Sequence, residues 1–377
     1  EARDAEIAAR LIGAKRVFWQ RRGHFREGAE FTSRALALAG FGALAPRIRG
    51  GLLLCAGMCA FFQARYRDAR VSLEAALDAF GKAGDLSGQA NALIGLAQIA
   101  MYHDEYALAE TYAQQALGHW TAVGDTWGIA SAHSTRGYAV GRMASTDANT
   151  AAMGEAFIRA VEGFESCGDR FGLGAALNGL GGAALHTESH AEAEGYYQRS
   201  IRIHRELEDE EWVSRSLNNL GICARGRGDI PRALAYFEEA LEIRQRIGAL
   251  FGIATLQYNI GDAVAALGDH AQALIRMRES VRLNLGYNDL HGMAQALAGI
   301  ATIWLDEGER AGEAARLLAF SAPHLGYPGP IAGGSEHLEL EERIAHARKA
   351  VGETDWEREW ASGAAMSAAV AAALGFS

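Results

Sequence analysis

The chain has 377 residues and a net charge of −10. That balance argues against a nucleic-acid surface as the main function, and no apolar run reaches the roughly 18–20 residues of a membrane span. Five prolines against abundant alanine suit a nearly all-helical chain. A length that ordinarily means two or three domains is compatible with a single solenoid, because each repeat touches only its neighbours.

No signal-peptide pattern is present, and the chain starts at Glu1. It is expected to be an excised piece of a longer cytoplasmic protein. In residues 1–38, Leu11, Val17, Phe18 and Trp19 form an apolar stripe, Gly23 a turn, and Phe25, Phe31 and Leu36 a continuation. Gly40 to Arg47 reads as a linker containing Pro46. A second unit runs from Arg49 to Ala83, with Phe61, Phe62 and Tyr66 late in its first helix and turn. Further units span Leu86–Val123, Trp127–Cys167 and Phe171–Leu207. The clearest is Ser216–Gly248, where apolar residues recur at the helix period around a Gly228-Asp229 turn. Phe251–Leu285 and Gly292–Ala322 follow, the last with one extra residue before its second helix.

These units share one period. Small residues at Gly57, Ala97, Gly137, Gly181, Gly221, Gly261 and Ala301 are spaced by 40, except for one step of 44 that places four extra residues in Ser145–Thr150. Arg16 is the weaker equivalent in the first unit. Twelve residues after their anchors come Ala69, Ala109, Ala193, Ala233 and Ala273, and four further on Leu73, Tyr197, Phe237 and Met277. Two amphipathic helices with small residues at the crossing resemble the tetratricopeptide repeat, in a form with helices longer than those of the 34-residue unit. The implied fold is all-α: a right-handed superhelix of about eight helix-turn-helix repeats of about 40 residues over 1–322, with capping helices in 323–377.

The links between units repeat as well. GKAGDLSGQA, TAVGDTWGIA, ESCGDRFGLG, RELEDEEWVS and LGYNDLHGMA each end a helix and then offer Asp. Glycine suits the left-handed position past a helix end, and aspartate caps the next helix. After Ala322 the period stops. Leu325–Ser335 is a Pro/Gly linker. HLELEERIAHARKAVG reads as a helix, with Glu339, Glu341 and Glu342 near its start. The tail reads as a short helix around Trp356 and Trp360, a turn and a final helix. The four cysteines suit a reducing compartment and are expected as small core or interface residues.

FWQRRGHFREGAEFTSRALAL at the start, and GEAARLLAFSA with DWEREWASGAAMSAAVAAAL at the end, resemble the C-terminal sensor arm of large bacterial regulators. These join a signal-transduction (STAND) NTPase to tetratricopeptide repeats and a DNA-binding module; they include LuxR-type (MalT-like) and SARP-type (AfsR-like) transcription factors. The resemblance implies a sensor whose NTPase and DNA-binding modules are absent from this chain. The chain holds no G-x-x-x-x-G-K-[ST] phosphate loop and no helix-turn-helix reader.

In such a fold the first helices line the concave face. Positions around each anchor select Gln98 and Tyr102, Tyr138 and Arg142, Asn178, then Arg215, Asn218 and Arg225, then Tyr258 and Asp262. Aromatic rings supply buried area at low entropic cost, carboxamides offer donor and acceptor together, and arginines fork onto carboxylates or phosphates. Asn178, Asn218, Asn219 and Asn259 recur near 40 residues apart, which resembles the asparagine ladders that hold extended peptides in some repeat proteins. Bridging of adjacent helices is the competing role, as ion pairing with Glu238 or Glu239 is for Arg215 and Arg225. The expected ligand is a protein, a peptide or a small-molecule inducer, with no cofactor, no metal and no catalysis. His186 and His190 in HTESH lack the H-E-x-x-H order, and no G-x-S-x-G elbow occurs. The other reading is a stand-alone peptide receptor or scaffold.

Overall fold

A computed structural model describes residues 2–22, 24–38, 40–143, 146–249, 252–325 and 335–377. The Gly23 turn, Phe251 and residues 326–334 of the Pro/Gly linker lie outside these, as do the side chains of Arg16, Val17 and Glu339. Among the described residues every regular element is helical. None of these helices is long and apolar enough to cross a membrane.

The chain forms two compact units. The first comprises 1–143 and 148–179, and the second 144–147 and 180–377, with the main division inside one helix. In the first unit, helical hairpins follow one another as α1 (Ala2–Arg22) with α2 (Phe25–Leu36), α3 (Pro46–Phe62) with α4 (Tyr66–Ala83), α5 (Leu86–Tyr102) with α6 (Tyr106–Val123), and α7 (Thr126–Gly141) with α8 (Asp147–Cys167). Next come α9 (Arg170–His186) with α10 (His190–Glu206), α11 (Glu210–Gly226) with α12 (Ile230–Arg246), α13 (Ile253–Ala266) with α14 (His270–Tyr287), and α15 (Leu290–Asp306) with α16 (Ala311–His324). Three helices end the second unit: α17 (Ser335–Val351), α18 (Glu353–Ala364) and α19 (Ala368–Phe376). His186 and His190 thus sit at the end of α9 and the start of α10.

Local chemistry starts and stops these helices. Asp85, Asp125, Asp169, Asp209 and Asp289, the link aspartates, each accept a hydrogen bond from the backbone N–H three residues on, at 2.9–3.3 Å. Asp229 and Asp269 do the same in the turns inside hairpins. Each bond satisfies an orphan donor of the first turn, worth about 1 kcal/mol. The residue before each link aspartate has a positive φ: Gly84, Gly124, Gly168, Glu208 and Asn288.

Within a hairpin, the two helices cross where the side chain is missing. A Cβ on Gly57, Gly137, Gly181, Gly221 or Gly261 would lie 2.3–2.9 Å from Leu73, Phe157, Tyr197, Phe237 or Met277 respectively. These are the large residues that the period predicts, with Phe157 taking the role in the lengthened repeat. Packing this close to interior density explains why the small residue is needed. Hairpins then stack, the second helix of one against the first helix of the next, as α4 does on α5 in the first unit and α12 on α13 in the second.

Three boundaries differ from the sequence reading. Pro46 is no linker residue but the first residue of α3, where its missing N–H costs nothing. The inserted residues near 147–150 fall largely inside a helix: α8 starts at Asp147 and reaches 21 residues against 18 in α6, while the connection before it is longer than that between α5 and α6. The clearest repeat starts at Glu210, six residues before Ser216, because the acidic polar start of α11 lacks the apolar spacing of its remainder. The extra residue of the last repeat is taken up at Arg310, which adopts φ 53° before α16. In the second unit Leu340, Ile344, Ala347, Trp356, Ala371 and Ala372 of α17–α19 are buried in one core with Leu297, Ile300 and Leu317 of α15 and α16.

Candidate functional site

The first helices carry the expected ligand-binding residues, and each unit disposes its own set. In the first unit, Tyr102 ends α5 and is 59% exposed. One face of its ring meets Tyr66 at 3.9 Å between centroids, and its edge meets His103. Burial and the hydrogen bond with Tyr102 push the Tyr66 hydroxyl above the ordinary tyrosine range. Tyr138 of α7 donates its O–H to the Ala175 carbonyl at 3.1 Å and packs edge-on to Phe157. Arg142 lies over the ring of Tyr106 at 5.8 Å. Gln98 is half-buried, and its Oε1 accepts no hydrogen bond. Asn178 is buried. Tyr138 and Tyr102 therefore do packing work between helices, while Tyr102 keeps the larger free surface.

In the second unit the structure joins candidates from adjacent first helices. Asn259 of α13 donates from Nδ2 to Oδ1 of Asn218 on α11 at 2.8 Å, and Asn218 donates to Asn219 at 3.4 Å. Further along the same two helices, Arg225 of α11 pairs with Asp262 of α13, an acid on the neighbouring first helix rather than Glu238 or Glu239. Tyr258, beside Asn259, is half-buried. Arg215 is exposed, and its guanidinium lies 4.5 Å above the ring of Trp212. Asn218–Asn259 and Arg225–Asp262 thus both bridge α11 and α13, whereas Arg215 stacks within its own helix.

Sequence reasoning missed a second row of residues. His204, Arg244 and Asn284 are buried near the ends of α10, α12 and α14, where Phe80, Trp120 and Phe164 stand in the first unit. His204 stacks on Trp212 at 5.3 Å with planes 10° apart, and Trp212 carries Arg215 on its surface. Burial holds the His204 imidazole below the ordinary histidine range, which Arg215 reinforces and Asp209 opposes. An open cavity of about 670 Å³ is lined by His204, Asp209, Val213, Glu239, Glu242 and Arg246. The signal was available: these three residues fall 23 positions after Gly181, Gly221 and Gly261.

None of the four cysteines is in a disulfide. Cys55, Cys59 and Cys223 are buried, and burial pushes the Cys223 thiol up to about 11. Cys167 is free and exposed, unlike the core or interface place expected of it. Among the described residues no group of three His, Cys, Asp or Glu side chains is placed to hold a metal ion.

The tetratricopeptide repeat model matches residues 172–246. No curated protein matches the chain. Among solved structures, the chain is similar to a Rap protein complexed with Competence and Sporulation Factor, at 11% identity, covering 95% of this chain and 99% of that one, with a TM-score of 0.64. The apo form of the quorum sensor NprR from B. thuringiensis is similar at 12% identity, over 96% of this chain and 98% of that one, with a TM-score of 0.63. A Signal Transduction ATPase with Numerous Domains from Pyrococcus horikoshii, with a tetratricopeptide repeat sensor, is similar at 13% identity, over 89% of this chain and 50% of that one, with a TM-score of 0.57. At such identities the likeness is one of fold. The chain folds as a tetratricopeptide-type array of helical repeats.

Proposed function

We propose that the chain is a non-catalytic sensing domain of the cytoplasm, whose repeats (1–322, capped by 323–377) bind a peptide, protein or small-molecule inducer on the first-helix face. The observation that carries this reading is the polar surface of the second unit. Asn218 and Asn259 present carboxamides with more donors and acceptors than their mutual bond uses, and Arg225–Asp262 lies beside them. Such groups suit an extended backbone, and Tyr258 adds an apolar face. Gln98, Tyr102, Tyr138, Arg142, Asn178 and Arg215 extend the candidate set. Native mass spectrometry of protein purified from its own cytoplasm tests it. Wild type should retain a stoichiometric ligand, and Asn218→Ala/Asn259→Ala should lose it at an unchanged thermal midpoint. A ligand held equally by the double variant would sink the reading.

The output we favour is coupling to an NTPase-driven transcriptional regulator of the LuxR or SARP type, with the ligand biasing two states of the NTPase. The tetratricopeptide sensor on the Pyrococcus horikoshii ATPase supports it at the level of fold. A stand-alone peptide receptor is the second reading, favoured by coverage of nearly the whole Rap and NprR chains. The gene discriminates: a phosphate-loop motif in the same frame supports the first, its absence the second.

A further inference from the structure

The first helix of the first unit exposes a face that its counterparts bury. Placing Arg16 at the anchor position aligns Ile7, Leu11, Ala14 and Phe18 of α1 with Gly88, Ala92, Gly95 and Ile99 of α5, and with Gly128, Ala132, Thr135 and Ala139 of α7. All eight residues on α5 and α7 are buried. On α1 the same stripe is open: Ile7 is 49% exposed, Leu11 62% and Phe18 48%, and Ala14 is exposed too. The spacing of four, three and four keeps the stripe on one side of the helix.

Elsewhere this stripe is covered by a second helix. Gly88 faces Phe80 and Gly95 faces Leu73, both from α4, the second helix of the preceding hairpin. On α3 the residues aligned with Ala14 and Phe18 are Cys55 and Cys59; Cys55 accepts a hydrogen bond from Thr32, and Cys59 meets Gly28, both of α2. The interface is thus a recurring one, always between this stripe and a second helix. We propose that α1 is the vacant seat for the second helix of a further tetratricopeptide-type hairpin.

Side-chain volume narrows the partner. Where α5 and α7 offer Gly88 and Gly128 to Phe80 and Trp120, α1 offers Ile7. Where they offer Ala92 and Ala132, α1 offers Leu11. Close packing at the same helix separation then requires the incoming helix to be slim, with Ala, Gly or Ser opposite Ile7 and Leu11. The proposal is independent of the groove reading, because it uses neither Asn218 nor any other residue of that face.

The test replaces residues 1–4 with a copy of residues 66–85, the register in which α4 leads into α5, with Phe80→Ala in the copy. Hydrogen exchange of amides 7–18 should slow at least about tenfold. Leu11→Glu/Phe18→Glu in the extended chain should restore the original rate. Unchanged exchange in the extended chain overturns the proposal. So does light scattering that shows the unextended chain as a dimer dissolved by Leu11→Glu/Phe18→Glu, since a second copy would then be the occupant.

Discussion

The two units use the same hairpin but fasten successive hairpins differently. Near the end of each second helix, one side chain inserts against the start of the next first helix. In the first unit that side chain is Phe80, Trp120 or Phe164, and its seat is Gly88, Gly128 or Gly172. In the second unit it is His204 against Trp212, Arg244 against Gly252, or Asn284 against Gly292. The opposite edge repeats the contrast. Phe25 stacks on Phe62, Tyr66 on Tyr102, and Arg142 lies over Tyr106. At the matching places in the second unit His190 meets Gly226, and His270 pairs with Glu307. Aromatic contacts gain from area and dispersion and tolerate little reorganisation. Buried polar contacts repay their desolvation only while their geometry holds. The second unit, which also carries the Asn218–Asn259 and Arg225–Asp262 pairs between first helices, is accordingly the one whose hairpin contacts depend more on polar geometry.

Removing a wedge from each unit breaks or sharpens this contrast most. Trp120→Ala deletes a fully buried indole seated on Gly128 and should cost about 3–5 kcal/mol, the range for large-to-small core changes. Asn284→Ala removes a smaller side chain and its 3.3 Å bond to Ser280, and should cost about 1–2 kcal/mol. Urea denaturation followed by far-ultraviolet circular dichroism measures both. Equal losses would mean that the wedges do not differ in kind.

Acid should act on the second unit through His204. Its folded pKa is depressed, so the neutral ring is the folded form. Above the unfolded pKa of about 6.5 the group contributes no pH dependence. As pH falls below that value the unfolded chain takes up the proton first, and stability drops until the folded pKa is passed. The slope is at most about 1.4 kcal/mol per pH unit for the one group. His204→Phe, which restores the aromatic wedge of the first unit, should flatten the profile between pH 6.5 and 5. His133 of α7, also depressed chiefly by burial, adds a slope of the same sign. An identical profile in the variant would remove His204 from the account.

Much of this architecture was readable from spacing. The anchors, the large residues sixteen positions later and the link aspartates all recur at 40 residues because each is forced by a contact inside the hairpin or at its cap. What spacing could not convey was identity between partners. Asn218 and Asn259 read as ligand groups, yet they bond each other, because a carboxamide within reach of a neighbouring helix is as free to bridge as to bind. The wedge row hid for another reason: Phe, Trp, His, Arg and Asn share a position but no hydropathy, so a hydrophobic pattern passes over it. The extra length of α8 was missed because an insertion of four residues is nearly one helical turn and leaves the phase intact.

The smallest effects separate the two units at their links. The residue before each capping aspartate sits near φ +60°, a conformation that costs an ordinary residue roughly 1–2 kcal/mol and glycine almost nothing. The first unit uses Gly84, Gly124 and Gly168 there; the second uses Glu208 and Asn288 at φ 56° and 57°. Asparagine tolerates this region because its short amide bonds locally; glutamate has no such compensation. Glu208→Gly should therefore stabilise the chain by about 0.5–1 kcal/mol, a little less than the strain because glycine also loosens the unfolded chain. Gly124→Ala should lose about the same amount, and since a Cβ there meets no atom within 4 Å, crowding plays no part in the loss. Asp125→Ala, which removes the adjoining cap, should cost about 1 kcal/mol in its own right. Thermal midpoints of the three single variants, each against wild type, decide the matter. A neutral Glu208→Gly would show that the second unit relaxes its link at no cost, and that its compliance begins in the backbone before any polar wedge is reached.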